Sequence, residues 1–107
     1  NKYAKEIELK NSNFANPHGL PNFRNTSTPY DVALLTAECL KIPLFQKITN
    51  TEVKVSGSKT QAAKNKCTGK TQQTNQTLSF IGAKTGVTVT AGPCLATCYE
   101  HQDKKFI

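Results

Sequence analysis

The 107-residue sequence contains no tryptophan, no methionine and a single arginine, Arg24. Aromatic residues make up 7% of it and apolar residues 36%, enough for one modest core but not for two domains or a large internal pocket. No apolar run approaches the roughly 20 residues of a membrane span, and no secretory-leader pattern is present. The lack of a Gly-X-Y period, of heptads and of internal repeats excludes collagen, coiled coil and solenoid. There is no Cys-x-x-Cys pair, and only His18 and His101 could join a metal site, so neither a metal nor a cofactor is expected.

Positive charge is what the sequence has in excess: 14 Lys+Arg against 7 Asp+Glu, a formal net charge of +7. Lys41, Lys47, Lys54, Lys59, Lys64, Lys66 and Lys70 invite a nucleic-acid reading. No aromatic residue interleaves with them beyond Phe45, and arginine is nearly absent. They read as a solvated face, and no nucleic acid is expected as a partner. The even set of four cysteines, Cys39, Cys67, Cys94 and Cys98, suits an exported protein. So do the glycosylation sequons at Asn25 and Asn75, each in a polar loop where a glycan could be accommodated. Cys94 and Cys98 lie roughly 13 Å apart on one strand, too far for a disulfide, which needs Cα atoms within about 7 Å. Cys39 reads as a small buried thiol. Cys67, in a polar loop, is expected to bridge to Cys98, a closure that would contribute roughly 3–4 kcal/mol.

The order along the chain reads as α+β. Lys2 to Leu9 forms the last turns of an amphipathic helix, with Tyr3, Ile7 and Ala4 on one face. Asn16-Pro17-His18-Gly19-Leu20-Pro21 is a turn cluster. Thr28 as N-cap, Pro29 at the first helical position and Asp31 near the positive end of the dipole start a helix that runs to about Leu40. A short helix covers Leu44 to Ile48. Thr51 to Val55 is a strand, and Ser56 to Gln76 an exposed basic excursion. Phe80 to Val89 and Pro93 to Tyr99 form an antiparallel hairpin joined by Thr90-Ala91-Gly92, with Lys84 and Thr85 on an open cleft side. The whole is one partial domain: a helical part over 1–48, a strand and basic loop over 51–79, and sheet strands over 80–107. Asn1 in place of methionine, and a last strand barely begun at Lys105-Phe106-Ile107, make both ends read as cuts. Leu34, Leu35, Phe45, Ile81 and Leu95 are too few to close a core around such a sheet. Further polypeptide, continuous or in a companion chain, is expected to cover them.

Lys84-Thr85-Gly86 carries chemistry. An ammonium supplies charge, a hydroxyl a directed hydrogen bond, and a glycine close backbone approach, which together suit a peptide carboxylate. The run from Gly82 to Leu95 resembles the Lys-Thr-Gly strand and following turn of the serine D-Ala-D-Ala carboxypeptidases, the low-molecular-mass penicillin-binding proteins. Thr88, Ala91-Gly92 and Cys94-Leu95 match in register. Asn16-Pro17-His18-Gly19-Leu20 is similar to that family's Asn-Pro-His-Gly-Leu loop, and the flanking helices resemble its neighbours. The resemblance covers Asn1 to about Ile48 and Phe80 to Ile107.

It implies a penicillin-binding-protein/beta-lactamase-like fold, with helices packed on an antiparallel sheet. It also implies a secreted or extracytoplasmic serine hydrolase acting on peptides ending in D-Ala-D-Ala and acylated by beta-lactams. Lys84, Thr85, Gly86 and Thr88 would bind substrate, and the Val87 backbone N–H would be one oxyanion-hole donor. Family members carry an aromatic residue or histidine where Val87 stands. A basic cleft would suit anionic cell-wall peptides. The family's Ser-x-x-Lys and Ser-x-Asn motifs precede the Asn-Pro-His-Gly-Leu loop and are missing from this sequence. Ser56-Gly57-Ser58-Lys59 fits Ser-x-x-Lys only literally, because the motif needs a helix and Ser56 follows a strand. This chain alone would be inactive. The rival reading is a non-catalytic descendant of the fold, used for binding or assembly. His18 reads as a turn residue bonding nearby backbone rather than a general base.

Overall fold

The computed structural model describes residues 1–49, 53–56, 59–62, 72–73, 76–77 and 79–107. Its elements are α1 (Lys2–Glu6), α2 (Pro29–Cys39), α3 (Pro43–Thr49), β1 (Val53–Ser56), β2 (Lys59–Ala62), β3 (Gln72–Gln73), β4 (Gln76–Thr77), β5 (Ser79–Thr88), β6 (Gly92–His101) and β7 (Lys104–Phe106). The architecture is α+β: among the described residues there are three helices and antiparallel sheets, the largest of order β5-β6-β7.

α1 stops before Leu9 because the chain turns left-handed at Glu8, φ 60°. The Glu8 N–H then donates to the Lys5 carbonyl (3.1 Å) and the Leu9 N–H to the Ala4 carbonyl (2.8 Å). These two bonds close the helix end and bring Ala4 and Leu9, both buried, together. Tyr3, expected on the buried face, is exposed instead. α2 starts as its sequence signals, with the Thr28 hydroxyl accepting from the Asp31 N–H (3.2 Å) and Pro29 at the first helical position.

Asp31 does more than complement the helix dipole. It is 1% exposed, and its Oδ2 accepts from the Asn11 N–H (2.8 Å) and the Ser12 hydroxyl (2.7 Å). The carboxylate therefore latches the segment after α1 onto the start of α2.

α3 packs against β5 and α2 against β6. Gly82 pairs with Cys98, and both are buried; a Cβ at Gly82 would lie 2.7 Å from the Thr49 hydroxyl and 3.4 Å from Leu40. One face of the hairpin is thus sealed under the helices at Gly82. Strand alternation puts Lys84, Gly86 and Thr88 on that same face, further along. A bulge at residue 81 shifts the register between Phe80 and Gly82. On the opposite face Phe80 and Tyr99 meet edge to face, centroids 5.7 Å apart, and Phe106 pairs with Tyr99. Leu95 and Val87 on that face are 57% and 75% exposed. The buried apolar residues among those described are Ala4, Leu9, Leu40 and Cys98, a thin core.

The strand expected over Thr51 to Val55 is β1, and the polar stretch after it, read as one excursion, holds its partner β2 and the short pair of β3 with β4. Backbone pairing needs no apolar alternation, so the lysine-, threonine- and glutamine-rich sequence concealed it. Ser56 and Lys59 face each other across that first pair, in strands and not on a helix. The hairpin turn sits one residue earlier than expected, because Thr88 pairs with Gly92, whose φ is +69°. The Thr88 hydroxyl closes the turn by accepting from the Ala91 N–H (3.0 Å). β7 follows Gln102 and Asp103, both left-handed at φ 48° and 60°, the pattern of a tight two-residue hairpin.

Cys94 and Cys98 are not bridged. Cys98 holds a free, fully buried thiol, so the expected Cys67–Cys98 bridge is not made; alternation along β6 turned Cys98 toward the helices. Cys67 itself lies outside the described residues. Burial pushes the Cys98 thiol pKa up, Lys105 opposes that and Glu100 adds to it. Cys39 is half-buried, and burial followed by the Glu38 carboxylate raises its pKa. Among the described residues, no helix is long and apolar enough to cross a membrane.

Candidate functional site

β5 is the edge strand of its sheet as described, and it carries Lys84, Thr85 and Gly86. Lys84 is exposed, and its ammonium folds back to donate to the Thr85 carbonyl oxygen. The expectation that Lys84 and Thr85 share the cleft side needs correcting: neighbours on a strand point to opposite faces. Lys84 stands on the face of Gly82, just past the helical cover, and half-buried Thr85 on the other. A Cβ at Gly86 would meet nothing within 4 Å. The face that is sealed at Gly82 is therefore open at Gly86, and Lys84 stands at the boundary.

The Asn-Pro-His-Gly-Leu segment belongs to a loop over 14–25, closed at its base by Asn13 and Thr26. Their backbones exchange two hydrogen bonds, Asn13 N–H to Thr26 O (2.8 Å) and Thr26 N–H to Asn13 O (3.0 Å). Side-chain amides hold its interior. The Asn16 amide accepts from the Gly19 N–H (2.9 Å) and donates to the Leu20 carbonyl (3.1 Å), with Gly19 left-handed at φ +73°. Asn25 accepts from the Ala15 N–H (2.7 Å) and donates to the Leu20 carbonyl (3.2 Å). His18 is a turn residue, exposed, with Nδ1 accepting from the Leu20 N–H (3.1 Å). Asn75 lies outside the described residues.

The same loop reaches the hairpin tip. Pro21, Asn22, Phe23 and Asn25 on one side, and Thr90 and Ala91 on the other, line an open groove of about 440 Å³. Sequence reasoning missed it: nothing in the spacing of residues 21–25 and 90–91 says that they meet. Thr88, expected to bind substrate, uses its hydroxyl in the turn beside this groove. Val87 projects its side chain from the open part of the strand. No group of three or more histidine, cysteine, aspartate or glutamate side chains that could hold a metal occurs among the described residues.

The family model for D-alanyl-D-alanine carboxypeptidase, peptidase S11, matches residues 1–107, the whole chain. A D-alanyl-D-alanine carboxypeptidase of Bacillus subtilis (strain 168), DacF, is 45% identical over 51 residues, 48% of this chain and 13% of the relative. A D-alanyl-D-alanine carboxypeptidase of Haemophilus influenzae, DacA, is 32% identical over 93 residues, 86% of this chain and 22% of the relative. The chain spans less than a quarter of the length of these two relatives. An α+β chain with its lysine-threonine-glycine triplet on an open sheet edge, matched from end to end by this model, belongs to the D-alanyl-D-alanine carboxypeptidase family.

Proposed function

We propose that this chain is one wall of the active site of an extracytoplasmic serine D-Ala-D-Ala carboxypeptidase, with the nucleophile supplied by the rest of the protein. The observation that carries the reading is the change along one face of β5, sealed at Gly82 and open at Gly86, with Lys84 between. A terminal carboxylate would sit at the free edge of β5 on the open face, paired with the Lys84 ammonium, and Thr85, on the opposite face, would contribute its hydroxyl across that edge. Gly86 leaves room for the substrate backbone.

Val87 suits the oxyanion role through its pairing. It faces Pro93, which has no N–H for the ladder. A hydrogen-bonded pair there would lack one of its two bonds, whereas the alternate kind turns the Val87 N–H to the free edge. An N–H held there can stabilise the negative oxygen that develops when a serine attacks the scissile carbonyl. D-alanine then leaves, and water hydrolyses the acyl-enzyme on the serine. Neither Ser-x-Asn nor a helical Ser-x-x-Lys lies in this chain, so it has one wall of a three-walled site.

The test is labelling of the intact protein with a fluorescent penicillin, followed by mass mapping. Label on a serine outside residues 1–107 is expected. An intact protein that folds and takes no label is the non-catalytic descendant instead.

A further inference from the structure

We infer that the groove between the 14–25 loop and the hairpin tip is a subsite for the upstream part of the substrate peptide, the residues on the amino-terminal side of the scissile bond. This rests on the proposed roles along β5. A terminal carboxylate at Lys84 and Thr85, with the scissile carbonyl at the Val87 N–H, fixes the direction of the peptide. Its upstream residues continue past Val87 toward residues 89–91. β5 ends at Thr88 and its turn follows at once, so a peptide extended past Val87 at about 3.3 Å per residue comes to the hairpin tip within a few residues. The groove begins where that path arrives.

Its lining sets the chemistry. Pro21, Phe23 and Ala91 are apolar, Asn22, Asn25 and Thr90 polar, and none is charged. Phe23 is 91% exposed, an aromatic ring held in water with nothing of its own to cover. It is held firmly: the Asn13 amide donates to the Arg24 carbonyl (2.6 Å), the Arg24 N–H to the Asn22 side-chain oxygen (2.9 Å) and the Asn25 N–H to the Asn22 carbonyl (2.9 Å). That Asn22 side-chain oxygen is engaged, and its amide nitrogen has no partner among the described residues, so it can donate to a ligand carbonyl. A groove of about 440 Å³ lies within the size of small-ligand sites. The ligand it fits is an uncharged stretch of peptide, an aliphatic stem against Phe23 and Pro21 with a backbone carbonyl at Asn22.

The experiment compares two peptides ending in D-Ala-D-Ala on the intact protein, one an N-acetylated dipeptide and one a pentapeptide, with Phe23→Ala and Phe23→Leu variants. Phe23→Ala is expected to lower kcat/KM for the pentapeptide roughly tenfold, as loss of part of a buried aromatic contact would, and to leave the dipeptide within about twofold. Phe23→Leu should recover much of the loss. Phe23 covers nothing, so the thermal transition should not move, and a shifted transition would place the ring in the fold and not in a subsite. Equal losses on both peptides, or no loss on either, overturn the subsite while leaving the carboxypeptidase reading in place. Failure of the unsubstituted protein to cleave either peptide or to take up penicillin overturns both readings together.

Discussion

Gly82 and Gly86 share one strand and one face, yet a side chain would meet the buried Thr49 hydroxyl 2.7 Å away at the first and nothing within 4 Å at the second. The first glycine is explained inside this chain. α3 lies so close to β5 that only hydrogen fits between them. The second is not explained by packing, nor by backbone strain, since its φ is not left-handed. Room for an approaching substrate backbone, the role proposed for Gly86, is compatible with that open space. The pair sets a glycine that packing explains beside one that packing does not, and Lys84 marks the border between the two halves of the strand.

The comparison can be broken at its open half first. Lys84→Ala in the intact protein should slow acylation by penicillin on the order of a hundredfold, the scale of removing one preorganised electrostatic group. Its thermal unfolding should stay unchanged, because Lys84 is exposed. Loss of folding with loss of acylation would move Lys84 into the structural half.

At the sealed half, Gly82→Ala should destabilise the protein by about 1–3 kcal/mol by overpacking, read as a lower urea midpoint at constant slope. Adding Thr49→Ala should return part of that loss, since it removes the atom in the way; strict additivity would show that the two do not touch. The thiols give a chemical version of the same contrast. Cys94 is exposed and should alkylate in the native state, whereas Cys98, paired with Gly82, should react only after unfolding.

A pH series sharpens it further. Burial raises the folded-state pKa of Cys98 above that of the unfolded chain. The folded protein therefore keeps the thiol proton while the unfolded chain loses it. The stability attached to this group is complete at neutral pH and declines as pH rises from the ordinary thiol range through the raised value. Unfolding midpoints of the intact protein and of Cys98→Ala, compared from neutral to alkaline pH, should converge as pH rises. The smallest effect is at the open glycine, where Gly86→Ala should change stability by less than about 0.5 kcal/mol while hindering acylation.

How much of this could be read from the sequence depends on where the determining partner sits. Thr28, Pro29 and Asp31 announce the start of α2 because capping is local. The hairpin is legible because its turn and register are close in sequence, and the Lys-Thr-Gly strand falls where its motif indicates. The end of α1 is not: Glu8 takes a left-handed conformation usual for glycine, and the burial of Leu9 against Ala4 selects it. Asp31 reads as a dipole partner, whereas its buried carboxylate serves Asn11 and Ser12, some twenty residues away. Cys98 reads as an outward partner for Cys67 until the register places it under the helices. The groove at Phe23 joins two segments more than sixty residues apart, and no local pattern encodes such a meeting.

The closed base of the 14–25 loop has a bearing on how this scaffold can vary. The groups that fix its span are backbone atoms of Asn13 and Thr26 and a carboxylate on α2, all outside the loop. Inside it, Asn16, His18, Asn22 and Asn25 supply the side-chain bonds, and the only role seen for position 24 is its backbone carbonyl and N–H. Positions 21, 23 and 24 can therefore accept new side chains as a cassette, without renegotiating the helix before them or the helix after. A library randomised at those three positions would redraw the rim of the cleft while Lys84, Thr85 and Gly86 stayed as they are. Selectivity for what lies upstream in a peptide could then drift, or be engineered, separately from the wall proposed to hold its carboxylate.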